Sequence, residues 1–296
     1  MDSKQNVLYN ILKNRFTANA QFFKDIRSIN CSLIKGEVLS LYAYGSFGKR
    51  LSSDIDILVS KESICILEEA LTNNGFFCRC TNNDKRFLRI YTHQYGVWNK
   101  QISPIDCVSI DINHDLFWGE YIGQRINIDE FVSDNVEMNI YGVTVKALTP
   151  LKTLIQLILH NYRDMNSIFL LATRKKIKRT MFADVYNLIK TNNITLNEFY
   201  DKCNEYKILP YAYYILYYTH QVYQDTILKK YVDAVATDEG RLLLPCYGLS
   251  EHERKSWKCS FETRLNANNL YELIMDDLDE FDISKIEINR KIMMGQ

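Results

Sequence analysis

Residues Gly45-Ser46-Phe47-Gly48-Lys49-Arg50, followed by Ser53-Asp54-Ile55-Asp56-Ile57-Leu58-Val59, carry the types and spacing that point to chemistry. Residues 55–59 read as a strand, and strand side chains alternate, so Asp54 and Asp56 leave one face while Ile55, Ile57 and Val59 leave the other. Adjacent carboxylates repel, and burying them is costly unless a cation neutralises them. A divalent metal meets that need. Hard oxygen ligands suit magnesium, which completes its shell with water and substrate phosphates. The loop before the strand supplies the phosphate side. Gly45 lets the backbone approach closely, amides and the Ser46 hydroxyl donate hydrogen bonds, and Lys49 or Arg50 adds positive charge. An ordinary turn beside a solvated strand edge is the alternative; the fixed order of Gly-Ser, short basic loop and DIDILV weighs against it.

The elements that must position these groups change character near residue 148. Before it, the pattern predicts strands at 38–44, 55–59, 76–80, 87–91 and 105–112 and a helix over about 62–73. Asn82-Asn83-Asp84 reads as a hairpin turn, which makes part of the sheet antiparallel. After it, Thr149-Pro150 reads as a helix start, and Leu151, Leu154, Ile155, Ile158 and Tyr162 follow helical spacing. Phe182, Val185, Tyr186 and Ile189 form a second such stripe, and Ile215, Tyr218 and Val222 a third. Aromatic stripes of this kind read as core. The expected class is therefore α+β, with a catalytic domain over 1–147 and a helical domain over 148–296 that closes its cleft.

Composition bounds the partners. The chain has 296 residues, 36 Lys+Arg against 36 Asp+Glu, 47% hydrophobic residues and 4 prolines, which excludes disordered and collagen-like classes. Zero net charge gives no global pull toward polyanions, so nonspecific DNA coating is not expected and any nucleic-acid binding needs a local patch. The opening residues hold no signal-like apolar stretch, and no segment is long enough to span a bilayer, so a cytoplasmic protein without membrane contact is expected. The eight cysteines include no CxxC, and Cys78-x-Cys80 is too tight for usual zinc spacing. They read as reduced, mostly buried thiols.

Gly45-Ser46, the short loop and Asp54-x-Asp56 resemble the nucleotidyltransferase superfamily with the DNA polymerase β-like fold, whose third acidic residue lies on a later neighbouring strand. The resemblance implies a mixed sheet with helices followed by an all-α C-terminal domain. It also implies two magnesium ions on three carboxylates and transfer of a nucleotidyl group from an NTP, with release of pyrophosphate. Gly45 and Ser46 would then hold the β and γ phosphates, and Asp54 and Asp56 would bridge both metals. For the third carboxylate, Asp111 sits between Ile110 and Ile112 near a strand end, with Val108, Ile110 and Ile112 sharing one apolar face. Asp106 opens the same strand with the opposite facing, and Asp115 is a weaker alternative. Asp111 would bind the metal that activates the acceptor and take its proton.

A closer resemblance, over about residues 35–190, is to a poorly characterised bacterial nucleotidyltransferase branch often linked to modified-peptide biosynthesis. It rests on R-x-x-S-D-I-D-I-L-V, the IDIN strand, YGVTVKALTP and the helix LIQLILHNYRD. Asn113 stands where that branch often has His, and the Gly-Ser loop is shorter than its usual Lys-Gly version. The implied acceptor is a hydroxyl or phosphate on a small molecule or modified peptide. Two alternatives are a toxin-like enzyme acting on tRNA or protein, and a non-catalytic nucleotide-binding module. Arg174-Lys175-Lys176-Ile177-Lys178-Arg179 is the one local basic run, read as a solvated loop or as an RNA-binding surface without the interleaved aromatics of single-strand binders. His160 reads as a helix-interface histidine or as a nucleotide or acceptor contact, and Arg86 and Arg89 as exposed strand arginines or triphosphate ligands.

Overall fold

The computed structural model describes residues 3–50, 52–119, 121–174 and 176–294; Leu51 and Lys175 lie outside the described residues. Helices α1 (Ser3–Thr17) and α2 (Ala20–Asp25) lead into β1 (Cys31–Ile34), α3 (Gly36–Tyr44) and β2 (Ile55–Val59). Then come α4 (Ile64–Asn73), β3 (Phe77–Cys78), α5 (Asn82–Tyr91), β4 (Gln94–Ser103), β5 (Asp106–Asn113), α6 (Ile128–Ser133), β6 (Asn135–Ile140) and β7 (Val143–Leu148). The strands form one mixed seven-stranded sheet in the order β3-β4-β5-β2-β1-β7-β6, so the class is α+β. β2 is the middle strand, antiparallel to β1 and parallel to β5. All five of its residues are buried, which is why it reads as an apolar run broken only by Asp56. Ile57 and Val59 pack with Ile110 and Ile112 of β5 in one core, all fully excluded from solvent, and Leu58 is buried as completely.

The chain divides into two compact units: 1–119 with 125–154 and 187–193, and 120–124 with 155–186 and 194–296. The first contains the seven-stranded sheet. The second is mostly helical, with most of α7 (Pro150–Asn166), α8 (Ile168–Thr173), the first part of α9 (Thr180–Thr191), α10 (Leu196–Glu205), α11 (Leu209–Tyr223), α12 (Thr226–Ala234) and α13 (Asp238–Leu243). A two-stranded ribbon of β8 (Cys246–Tyr247) and β9 (Lys255–Ser256) precedes α14 (Phe261–Asn266) and α15 (Glu280–Met294). The helical stripes are core as expected: Ile158, Tyr162, Phe182, Val185, Ile215 and Tyr218 are buried, and Tyr162 meets Tyr214 edge-on at 5.1 Å between ring centres.

Four expectations change. Residues 38–44 form α3, not a strand; Leu39, Leu41 and Ala43 are good helix formers, and the segment ends on Gly45 in the left-handed region at φ 72°. Residues 87–91 belong to α5, and Asn82-Asn83-Asp84 is its first turn, because Thr81 accepts from the Asp84 amide while the Asp84 carboxylate receives the Thr81 amide. The antiparallel pairs of the sheet are β3–β4, β4–β5, β1–β2 and β6–β7, none of them made by residues 82–91. The strand expected from Phe76 shrinks to the two residues of β3. The eight cysteines are free thiols, but only Cys31 and Cys203 are buried and Cys65 is exposed.

Candidate active site

Register places the acids. On parallel neighbours β2 and β5, Asp56 pairs with Asp111, with Ile57 opposite Ile112 and Ile55 opposite Ile110. Because facing alternates along both strands, matched positions put the two carboxylates on one face. Asp54 lies two residues before Asp56, immediately ahead of the strand. Burial, then the charges of Asp56 and Asp54, push the Asp111 carboxyl up to about 7, while Lys35 pulls it down. The three acids thus share one electrostatic environment, with Asp56 itself 6% exposed.

Two groups that sequence reasoning missed hold Asp56. The Lys35 ammonium lies 3.2 Å from its Oδ1, and the Asn113 amide donates to the same oxygen at 3.4 Å. Lys35 is the single residue between β1 and α3, and Ile34 before it pairs with Asp56 in the antiparallel register. Its backbone sits at φ 58°, ψ −146°, a region glycine ordinarily occupies and one that costs about 1–3 kcal/mol for other residues. Gly36 follows at φ 46°, and a Cβ there would stand 3.4 Å from Ser52 Oγ and 3.9 Å from the Asp54 carbonyl oxygen. The amino end of α3, with its unpaired amides and positive dipole end, therefore opens beside Asp54 and Asp56.

Gly45 and Ser46 lie at the other end of α3, where the helix presents carbonyls rather than amides. The loop after them is pinned back onto α3. Gly48 donates its amide to Glu37 Oε2 at 3.0 Å, and the amides of Lys49 and Arg50 donate to Ser40 Oγ at 3.1 and 3.2 Å. Tyr141 Oη also donates to Glu37 Oε2 at 3.2 Å, and burial pushes the Glu37 carboxyl upward. These bonds hold the loop against α3, while among the described residues Ser46 Oγ and Glu37 Oε1 are buried with no hydrogen-bond partner.

The remaining candidates are committed elsewhere. Asp106 pairs with Arg15, whose Nε and Nη2 donate to Oδ1 at 3.1 and 2.8 Å. Asp115 receives the Phe117 amide at 2.9 Å and pairs with Arg125. Arg86 and Arg89 lie on α5, not on a strand, and are exposed. In the helical unit, His160 Nε2 stands 3.3 Å from Asp164 Oδ2, an oxygen that also meets Arg174, while Arg163 donates to Asp164 Oδ1 at 2.7 Å. Those cations hold the Asp164 carboxyl well below its usual range against the burial that opposes them. Arg179 donates to Asn266 at 3.0 Å. Of the basic run, the described residues Lys176 and Lys178 are exposed and Ile177 is buried.

The mixed sheet thus carries paired acids on adjacent parallel strands beside a helix amino end. The chain belongs to the family described as uncharacterised nucleotidyltransferases, which residues 23–224 match. A solved structure described as an antigenic nucleotidyltransferase-like protein from Paracoccidioides brasiliensis is similar at 16% identity and a TM-score of 0.47, over 75% of this chain and 93% of that one. No curated protein matches the chain.

The acids suit a divalent ion by type: hard oxygen donors, mutually repelling, one of them carrying an upward-shifted carboxyl. Among the described residues, no three such groups are already drawn together at ligand spacing. Lys35 supplies the positive charge on Asp56. Among the described residues, no helix is long and apolar enough to cross a membrane.

Proposed function

We propose that this protein transfers a nucleotidyl group from an NTP to an acceptor hydroxyl or phosphate, releasing pyrophosphate. The observation that carries this reading is the side-by-side register of Asp56 and Asp111, with Asp54 adjacent, beside the amino end of α3. Asp54, Asp56 and Asp111 would hold magnesium, which when bound supplies charge stabilisation at the attacking and leaving oxygens. The acceptor oxygen attacks the α phosphorus, the bond from that phosphorus to the bridging oxygen breaks, and pyrophosphate leaves. Asp111 is the group that takes the acceptor proton, since its carboxyl sits near neutrality. The amides at the start of α3 and the Lys35 ammonium orient the triphosphate, in place of the expected Gly45 and Ser46.

A small molecule or modified peptide is the acceptor this reading favours. Asp164 pairs with Arg174, so the basic run offers less free charge to RNA than its composition suggests. The test is incubation of the protein with each labelled NTP, magnesium and cell extract, followed by mass spectrometry of the labelled species. Label in a small metabolite or peptide supports the reading; label in tRNA or protein redirects the acceptor, and no label with any NTP removes the activity.

The position of the phosphate cradle has its own test. Gly45→Ala meets no atom within 4 Å, so only the left-handed backbone is penalised, at about 1 kcal/mol of stability, with nucleotide affinity expected within about two-fold of wild type. Gly36→Ala carries the same backbone penalty and sets a methyl in contact with Ser52 at the amino end of α3, where the phosphates would approach; nucleotide affinity is expected to fall by about ten-fold or more. Chemical denaturation and calorimetry read the two effects. The reverse ranking would return the phosphates to Gly45 and Ser46.

A further inference from the structure

Lys35 stands out among the groups outside the expected motif because its backbone and side chain ask for the same explanation. A glycine would make the turn from β1 into α3 without strain, yet a lysine occupies φ 58°, ψ −146° and reaches 3.2 Å from Asp56 Oδ1. Its side chain is 12% exposed and that of Asp56 8%, so the pair is sheltered from solvent screening. The oxygen it occupies belongs to the acid paired with Asp111, the position a divalent ion would need.

A monovalent ammonium and a divalent ion cannot both sit on that oxygen, because they repel and each needs its donors. The lysine head rides on a flexible four-carbon stem, so it can leave Asp56 without moving the backbone. Besides Asp111, whose carboxyl it already pulls down, a nucleotide bound at the amino end of α3 would offer it the triphosphate as a counter-charge.

We propose that Lys35 is a built-in counter-ion for the carboxylate pair, holding Asp56 in the absence of metal and passing to the triphosphate when metal and nucleotide bind together. It therefore opposes binding of the free ion and assists binding of the metal–nucleotide complex. This rests on the nucleotidyl-transfer reading, and the two can fail separately.

Calorimetry with magnesium alone, and with magnesium plus non-hydrolysable analogues of the four NTPs, tests it on wild type and Lys35→Met. Removing the ammonium is expected to tighten binding of magnesium alone by several-fold and to weaken binding of the complex by about ten-fold. Opposite signs are the signature, since a merely structural lysine would shift both in one direction. Lys35→Gly takes the same backbone conformation without strain and is expected to give the same pair of shifts, which keeps the test available if the methionine variant does not fold. If wild type binds magnesium and neither variant binds it more tightly, the counter-ion role is overturned. If wild type binds neither magnesium nor any magnesium–nucleotide, the nucleotidyl-transfer reading falls and takes this proposal with it.

Discussion

Nucleotidyl transfer is expected to fall by about 10³-fold or more in Asp56→Asn and in Asp111→Asn, and to stay within a few-fold of wild type in Asp106→Asn. Each of the first two changes keeps the side-chain shape but removes an anionic donor from the paired positions on β2 and β5. The folding consequences differ. Asp111→Asn relieves repulsion from Asp56 and Asp54 and is expected to leave stability unchanged or raised. Asp56→Asn relieves the same repulsion but strands the sheltered Lys35 ammonium, so a net loss of stability is expected. Asp106→Asn weakens the two contacts from Arg15 and is expected to cost about 1–2 kcal/mol. Circular dichroism melts beside a pyrophosphate-release assay separate these effects. Full turnover in Asp111→Asn together with loss in Asp106→Asn would move the third acid to the other face of β5.

The contrast between legible and illegible residues follows from where each one's partner lies in the chain. β2 was readable because a strand buried on both faces concentrates Ile, Leu and Val, against which two acids stand out. Asp111 was readable because parity along one strand already separates it from Asp106, and the parallel register only had to bring it opposite Asp56. α3 was not. Its run from Val38 to Tyr44 is almost continuously apolar, and such a run fits a buried strand and a buried helix equally well. The informative signal lay at its end, where Gly45 has the left-handed conformation of a helix stop. In α5 the same Asn and Asp residues that favour turns served the first helical turn, and Thr81-x-x-Asp84 was the pattern that distinguishes the two. Lys35 with Gly36 makes a Lys-Gly pair, but nothing local to it names its partner. Its meaning depends on Ile34 pairing with Asp56, a contact between strands separated by the whole of α3 and the loop after it.

Proton uptake by Asp111 makes metal binding and stability depend on pH in opposite senses. The carboxyl ordinarily ionises near 3.8 and in the folded chain near 7, first through burial and then through Asp56 and Asp54. Between those values the native state holds a proton that the unfolded state has released, so the metal-free protein loses stability as pH rises through this window. The stabilisation relative to the charged form is fully present below about pH 4 and gone above about pH 7, an effect on the order of 4 kcal/mol. Asp111→Asn should flatten that part of the profile. A magnesium ion on the same carboxylate must displace the proton, so affinity is expected to rise by up to about ten-fold per pH unit between pH 5.5 and 7 and then level off. Calorimetry in two buffers of different ionisation enthalpy counts the protons: close to one released per ion bound at pH 6, and close to none at pH 8. The magnesium-induced rise in melting temperature should grow over the same interval. Magnesium affinity that is flat from pH 5.5 to 8, with no proton released, would place the ion away from Asp111 and leave Asp54 and Asp56 as its only protein carboxylates.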